Sequence, residues 1–173
     1  MLYHPGNQVF YCSHGVCEIL DIEQRRIDKK NIEYYVLSPV CNPNARFYIP
    51  TSNPKVVSKL SPLLTAEELQ IFLAELCDSR DLWIDEENLR KQKLKDVIAS
   101  GKQTDLIQWV RALHMHKRAL LDQGKKFHMA DESFLKDAEK ILIAEFSIIW
   151  KIPKESVIQQ VHNTVSTKKG CCK

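Results

Sequence analysis

Glycine is scarce in this chain, with five in 173 residues. Gly-x-Gly-x-x-Gly turns, a Walker A loop and a Gly-x-Ser-x-Gly elbow are all absent, so the common dinucleotide, nucleotide and serine-hydrolase chemistries lack their frame. His-Glu-x-x-His is missing too, and His114 and His116, two apart, face different directions on a helix and cannot chelate one ion. No long uncharged apolar run occurs, and the mean hydropathy of −0.31 argues against a membrane span. Met1-Leu2-Tyr3-His4-Pro5-Gly6 has neither the positive nor the apolar region of a secretory signal, so a soluble, cytoplasmic protein is expected. Charge of one sign is also lacking: 25 Lys+Arg against 22 Asp+Glu leave +3, which excludes binding that rests on total charge. Six cysteines are present (Cys12, Cys17, Cys41, Cys77, Cys171, Cys172), but no Cys-x-x-Cys. Outside a short secreted chain they read as reduced thiols, and no cofactor or metal is expected. A metal or redox site at Cys12, Cys17 and Cys41 around His14 is the competing reading, with stoichiometric zinc as its signature.

What is present changes character near Leu60. Up to that point short apolar and aromatic runs alternate with turn residues: Val9-Phe10-Tyr11, Val16 to Ile22, Ile32 to Leu37, Phe47-Tyr48-Ile49 and Val56-Val57 are five candidate strands. Ser13-His14-Gly15, Asp28-Lys29-Lys30-Asn31 and Asn42-Pro43-Asn44 supply turn chemistry between them. Glu18, Asp21 and Glu23 leave one face polar, as in a small antiparallel sheet or barrel. After Ser61-Pro62 the period becomes helical. Thr65 with Glu68 forms a capping box, and further helices are expected over Asp85 to Ala99, from Thr104 to Gly124, from about Asp131 to Trp150, and from Pro153 through Val161. The expected fold is α+β: a five-stranded Tudor- or SH3-like barrel in residues 1–60, then four or five helices in 61–165. Residues 166–173, including Cys171 and Cys172, are expected to be a disordered tail.

The small net charge conceals a strong segregation. From Thr65 to Glu87 eight acidic residues face one basic, a balance of −7. From Arg90 to Lys126 ten basic residues face three acidic, a balance of +7. Such a dipole can neutralise phosphates on one side and repel nucleic acid on the other; acidic and basic helices can equally pair with each other or stay solvated. Trp83 stands at the junction. An apolar side chain beside Lys and Arg can wedge between base steps in the minor groove, while a hydrophobic staple or core residue is its structural alternative. Trp109 and Trp150 lie on apolar helical stripes and read as core.

The order of these features resembles the CarD/CdnL family of bacterial transcription regulators, whose first domain is shared with the RNA-polymerase-interacting domain of transcription-repair coupling factor. The resemblance is carried by the run from Gly6 to Val16, by Glu33-Tyr34-Tyr35-Val36-Leu37-Ser38-Pro39, by Ile49-Pro50-Thr51-Ser52-Asn53, and in the helical half by Ser100-Gly101, Val110 to Leu113 and Ala138 to Glu145. It implies a Tudor-like domain that docks on the RNA polymerase β subunit, and a helical domain that touches promoter DNA without sequence specificity at the upstream bubble edge, stabilising the open complex. No membrane and no small-molecule substrate are implied.

Carried over residue by residue, the resemblance implies Arg25, in the loop after the second strand, and the neighbours Arg46 and Tyr48 as polymerase contacts. It implies Trp83 as the minor-groove wedge; the candidate DNA contacts beside it are Arg90, Lys91 and Lys93, a turn after the family's basic positions, and Lys125 and Lys126, which stand in for a family lysine before the fourth helix that is replaced here by Glu132 or Ser133. Trp83 stands about four residues farther from Ser100-Gly101 than the family spacing, one helical turn. Asp85-Glu86-Glu87 occupy positions where the family carries basic residues. A protein-only adaptor, whose barrel binds polymerase or a peptide and whose helices bind protein without DNA, is the alternative function.

Overall fold

The computed structural model describes residues 2–11, 14–76 and 82–169, with side chains through residue 165. The chain divides into two compact units, residues 1–63 with 98–103 and residues 64–97 with 104–173.

In the first unit, strands β1 (Gln8–Tyr11), β2 (Gly15–Ile27), β3 (Lys30–Pro39), β4 (Phe47–Pro50) and β5 (Leu60–Pro62) form one antiparallel sheet in the order β4-β3-β2-β1-β5. The sheet is open, so the expected barrel is not closed by hydrogen bonds, yet it curls. Tyr11 on β1 and Phe47 on β4 meet at a ring-centroid distance of 6.5 Å, whereas flat spacing would hold these strands about 14 Å apart. The concave side buries Tyr3, Val9, Cys17, Ile19, Tyr35, Leu37, Ile49 and Leu60, and the Tyr3 hydroxyl donates to the Leu60 carbonyl at 3.1 Å.

Two irregularities shape the long β2–β3 hairpin. The register shifts between Ile19 and Asp21, leaving Leu20 as the extra, exposed residue. That bulge explains why the polar face changes parity from Glu18 to Asp21 and Glu23. At the tip, Ile27 pairs with Lys30, so the turn is two residues, Asp28 (φ 49°) and Lys29 (φ 65°), the signature of a type I′ turn. The strands therefore run farther toward the tip than composition alone indicates, and Arg25 lies on β2 rather than in a loop after it.

Val56-Val57, expected as a strand, belong to the one-turn helix α1 (Pro54–Val57). Asn53 caps it by accepting from the Lys55 amide, and Pro54 brings the helical φ already set. Local start chemistry thus overrides the β-branched composition, and the fifth strand is β5, paired with β1 through Val9–Pro62, Phe10–Ser61 and Tyr11–Leu60.

The second unit is helical: α2 (Ala66–Glu75), α3 (Glu87–Ser100), which runs on into the first unit's residues 98–103, α4 (Gln103–Asp122), α5 (Met129–Trp150) and α6 (Lys154–Lys169). The Thr65–Glu68 capping box forms in both directions. Helix α4 begins one residue before Thr104, so Thr104 lies in its first turn rather than at its cap. It ends at Gly124 (φ 69°), where the Gly124 amide bonds the Leu121 carbonyl and the Lys125 amide that of Leu120, the Schellman pattern. Helix α5 starts at Met129, capped by His128, and α6 extends well past Val161. Trp109 is buried with Leu106 and Leu113 on α4, while Leu135, Ala138, Leu142 and Phe146 form the buried stripe of α5.

Candidate functional sites

In the first unit the sheet gathers four side chains on its convex face: Glu23 and Arg25 from β2, Tyr34 from β3 and Tyr48 from β4. Residues two apart on a strand share a face, and Glu23 pairs with Tyr34 across β2–β3. The Arg25 guanidinium lies 3.5 Å over the Tyr48 ring, and its Nε and Nη2 donate to Glu23 Oε2 at 3.1 and 3.0 Å. Tyr34 meets Tyr48 edge to face at 6.5 Å. The cluster is outward: Tyr48 is 37% exposed. Held by a ring and a carboxylate, the guanidinium arrives at a partner with less conformational entropy to lose. Arg46 does not join it. Its Nη1 donates to Ser38 Oγ at 3.0 Å and to the carbonyls of Ala45 and Pro43, clipping the β3–β4 loop. Sequence reasoning missed Glu23 and Tyr34, although the i, i+2 spacing of Glu23 with Arg25 was there to be read.

Beside Tyr11 a second aromatic group forms, in which His14 stacks on Phe47 at 4.0 Å and 6°. Cys17 lies buried and Cys41 exposed, both as free thiols. Burial pushes the Cys17 thiol up to about 12, with the nearby Cys41 adding to the rise, so Cys17 is a poor nucleophile and a poor metal ligand. Cys12 lies outside the described residues.

In the second unit Trp83 is neither core nor bare surface. It is half-buried, and its ring stacks on His116 at 3.4 Å and 14°. The Arg90 guanidinium lies 4.3 Å from the same ring, and Trp83 Nε1 donates to Asp85 Oδ1 at 3.0 Å. Trp83, His116, Lys126 and Phe127 line a recess of about 220 Å³ that Arg90 and Asp131 also border.

Arg90, expected on DNA, is instead a buried anchor. It is 5% exposed, and its Nε and Nη2 grip Asp131 at 2.8 to 3.2 Å. Its Nη1 donates to the carbonyls of Ile84 and Asp85 at 2.8 and 3.2 Å. With four of its five N–H donors committed in this way and only 5% of the residue exposed, this guanidinium has little to offer a phosphate. The acidic run Asp85-Glu86-Glu87 likewise has local work: the Glu86 carboxylate accepts from the amides of Asn88 and Leu89 at 3.0 and 2.9 Å, capping α3 where the helix dipole favours a negative charge. Lys91 pairs with Glu87, and that hydrogen bond, with His128 and Arg90 nearby, lowers the Glu87 carboxyl from its usual value.

Lys93, Lys125 and Lys126 are exposed and have no carboxylate within ion-pair range among the described residues. His114 and His116 do serve different neighbours: His114 pairs with Glu139 at 2.7 Å, His116 with Trp83. Sequence reasoning missed His116, Phe127 and Asp131, because what joins them to Trp83 is folding over long separations.

The open, curled sheet with an outward Arg–Tyr cluster has the form of a protein-interaction module, and residues 3–61 match the family model of the CarD-like/TRCF RID domain. The first unit is therefore an RNA-polymerase-interacting domain, the class that this family defines. Residues 3–61 thus carry a CarD-like/TRCF RID domain. No curated protein matches the chain. No helix among the described residues is long and apolar enough to cross a membrane.

Proposed function

We propose that this protein is a non-enzymatic transcription regulator that binds the RNA polymerase β subunit through its first unit and steadies the open promoter complex through its second. The observation that carries the reading is the RNA-polymerase-interacting domain at residues 3–61, on which Arg25 and Tyr48 form one preassembled, exposed contact. Promoter DNA at the upstream edge of the bubble is the second partner, met by Trp83 and by the exposed cations Lys93, Lys125 and Lys126, with Lys91 beside them. Arg90 supports this surface without touching DNA.

Stabilisation of the open state can be no larger than the difference in affinity between open and closed complexes. A preference of about 1.4 kcal/mol changes their ratio tenfold. The test is binding of the full chain to the polymerase β subunit: Arg25→Glu should weaken it at least about tenfold, because it reverses the charge that the contact presents to its partner. Equal affinity for the wild type and Arg25→Glu would overturn the docking assignment. Open-complex lifetime with and without Trp83→Ala tests the DNA contact, which an unchanged lifetime rejects.

The carboxylates Asp85, Glu86 and Glu87 beside Trp83 favour the second reading, in which the helices bind protein and never DNA. Salt decides between them, since forked-DNA affinity must fall steeply with ionic strength under the first reading and be absent under the second.

A further inference from the structure

We infer that His116 and Arg90 are the two jaws of a clamp that fixes Trp83 in one orientation and limits it to edge-on contact with its partner. His116 stacks on the indole at 3.4 Å and the Arg90 Cζ lies 4.3 Å from the ring centroid. Two planar groups at these distances cannot share one face of the indole without overlapping each other, so they cover opposite faces. The third restraint is the Nε1–Asp85 hydrogen bond at the pyrrole edge. With both faces and the N–H engaged, a partner can approach the indole only edge-on.

The jaw on the Arg90 side is rigid for a definite reason. All three guanidinium nitrogens are held within the guanidinium plane, two by Asp131 and one by the carbonyls of Ile84 and Asp85, so the flat face of the group is left for the ring. Arg90 thereby also pins the backbone immediately after Trp83. Opening this jaw would separate a pair whose side chains are 6% and 1% exposed, an expensive event. The His116 jaw, half-buried and on α4, is the weaker one.

The consequence bears on how Trp83 meets DNA, and this part rests on the proposed function. A base cannot stack on a covered indole face without displacing His116 or Arg90. The clamped ring instead acts as a blunt wedge against the groove, a contact that reads shape and is indifferent to base identity. Because the indole is already ordered, binding does not have to immobilise it.

The clamp is testable without any partner. The full chain is labelled with 5-fluorotryptophan, and the Trp83 signal is assigned by its loss in Trp83→Phe. The wild type should give a single sharp Trp83 line that shifts or broadens in both His116→Leu and Arg90→Met, with far-UV circular dichroism unchanged. Should Arg90→Met fail to fold, His116→Leu alone decides. A Trp83 line identical to wild type in the folded variants overturns the clamp. Open-complex lifetime then separates the two ideas: a changed fluorine line with an unchanged lifetime keeps the clamp and discards the DNA contact. Lifetimes in His116→Leu between those of wild type and Trp83→Ala support both.

Discussion

Arg90 and Asp131 are 41 positions apart and form the most buried ion pair among the described residues. Removing one member leaves the other as an uncompensated charge in a dry site. Asp131→Ala should therefore destabilise the protein by about 3–5 kcal/mol in chemical denaturation. Replacing both, Arg90→Met with Asp131→Leu, should recover most of that loss, since the desolvation penalty disappears with the charges. If the double variant is as unstable as Asp131→Ala, the pair owes its worth to packing and not to charge. Glu145 makes the opposite case, a buried acid with no hydrogen-bond partner for either oxygen among the described residues. Burial pushes its pKa from 4.5 up to about 9, so the folded protein holds it neutral. The unfolded chain releases that proton from about pH 4.5 upward while the folded chain keeps it, so stability is full at acid pH and falls as the pH rises toward 9. Glu145→Gln should flatten this dependence, which for such a carboxyl amounts to about 4 kcal/mol between pH 5 and pH 8, read from denaturation midpoints at those two pH values. A wild-type midpoint that does not fall over that range would show the carboxyl ionised and satisfied. Neither residue advertises its role in sequence: a basic helix position looks the same whether it meets phosphate or a carboxylate 41 residues away.

Elements with local causes were legible, and those with distant causes were not. The Thr65–Glu68 box and the left-handed glycines at 101 and 124 are written in a few adjacent residues, and the structure shows each of them. Val56-Val57 have the β-branched composition of a strand, yet Asn53-Pro54 just before them start a helix. The length of the β2–β3 hairpin was hidden by its turn: type I′ geometry usually advertises itself as Asn-Gly, and here Asp28-Lys29 adopt it with positive φ at both positions. Lys29→Gly should stabilise the protein by about 1 kcal/mol, because glycine enters the left-handed region without a Cβ clash. Lys151, at φ 55° after α5, should respond similarly to glycine. Thermal midpoints that fall in Lys29→Gly would mean that backbone entropy outweighs the relieved strain. Gly101 is the converse: at φ 70° an added Cβ would lie 2.6 Å from the Lys59 carbonyl oxygen, so alanine there forces backbone apart.

At the scale of the whole molecule, the +3 net charge fits weak DNA binding supported by a tether better than autonomous DNA binding. The structure reduces the apparent basic block further, because Arg90 is buried against Asp131, Lys91 pairs with Glu87 and Lys117 with Glu132. Of the cations expected on DNA, Lys93, Lys125 and Lys126 remain exposed, and Lys126 borders the recess that Trp83 lines. Three phosphate contacts correspond to a slope of about −3 in log affinity against log salt. Raising salt from 50 to 200 mM should then weaken forked-DNA binding roughly 50-fold, far less than for a protein that grips DNA unaided. Lys125→Ala with Lys126→Ala should bring the slope to about −1 and lower affinity alike on every sequence, measured by fluorescence anisotropy with the full chain. Arg90→Met should leave the slope where it was, since Arg90 touches no phosphate. A slope that drops by one unit in Arg90→Met would return that residue to the DNA surface, and no salt-dependent binding at all would give the helical unit to a protein partner.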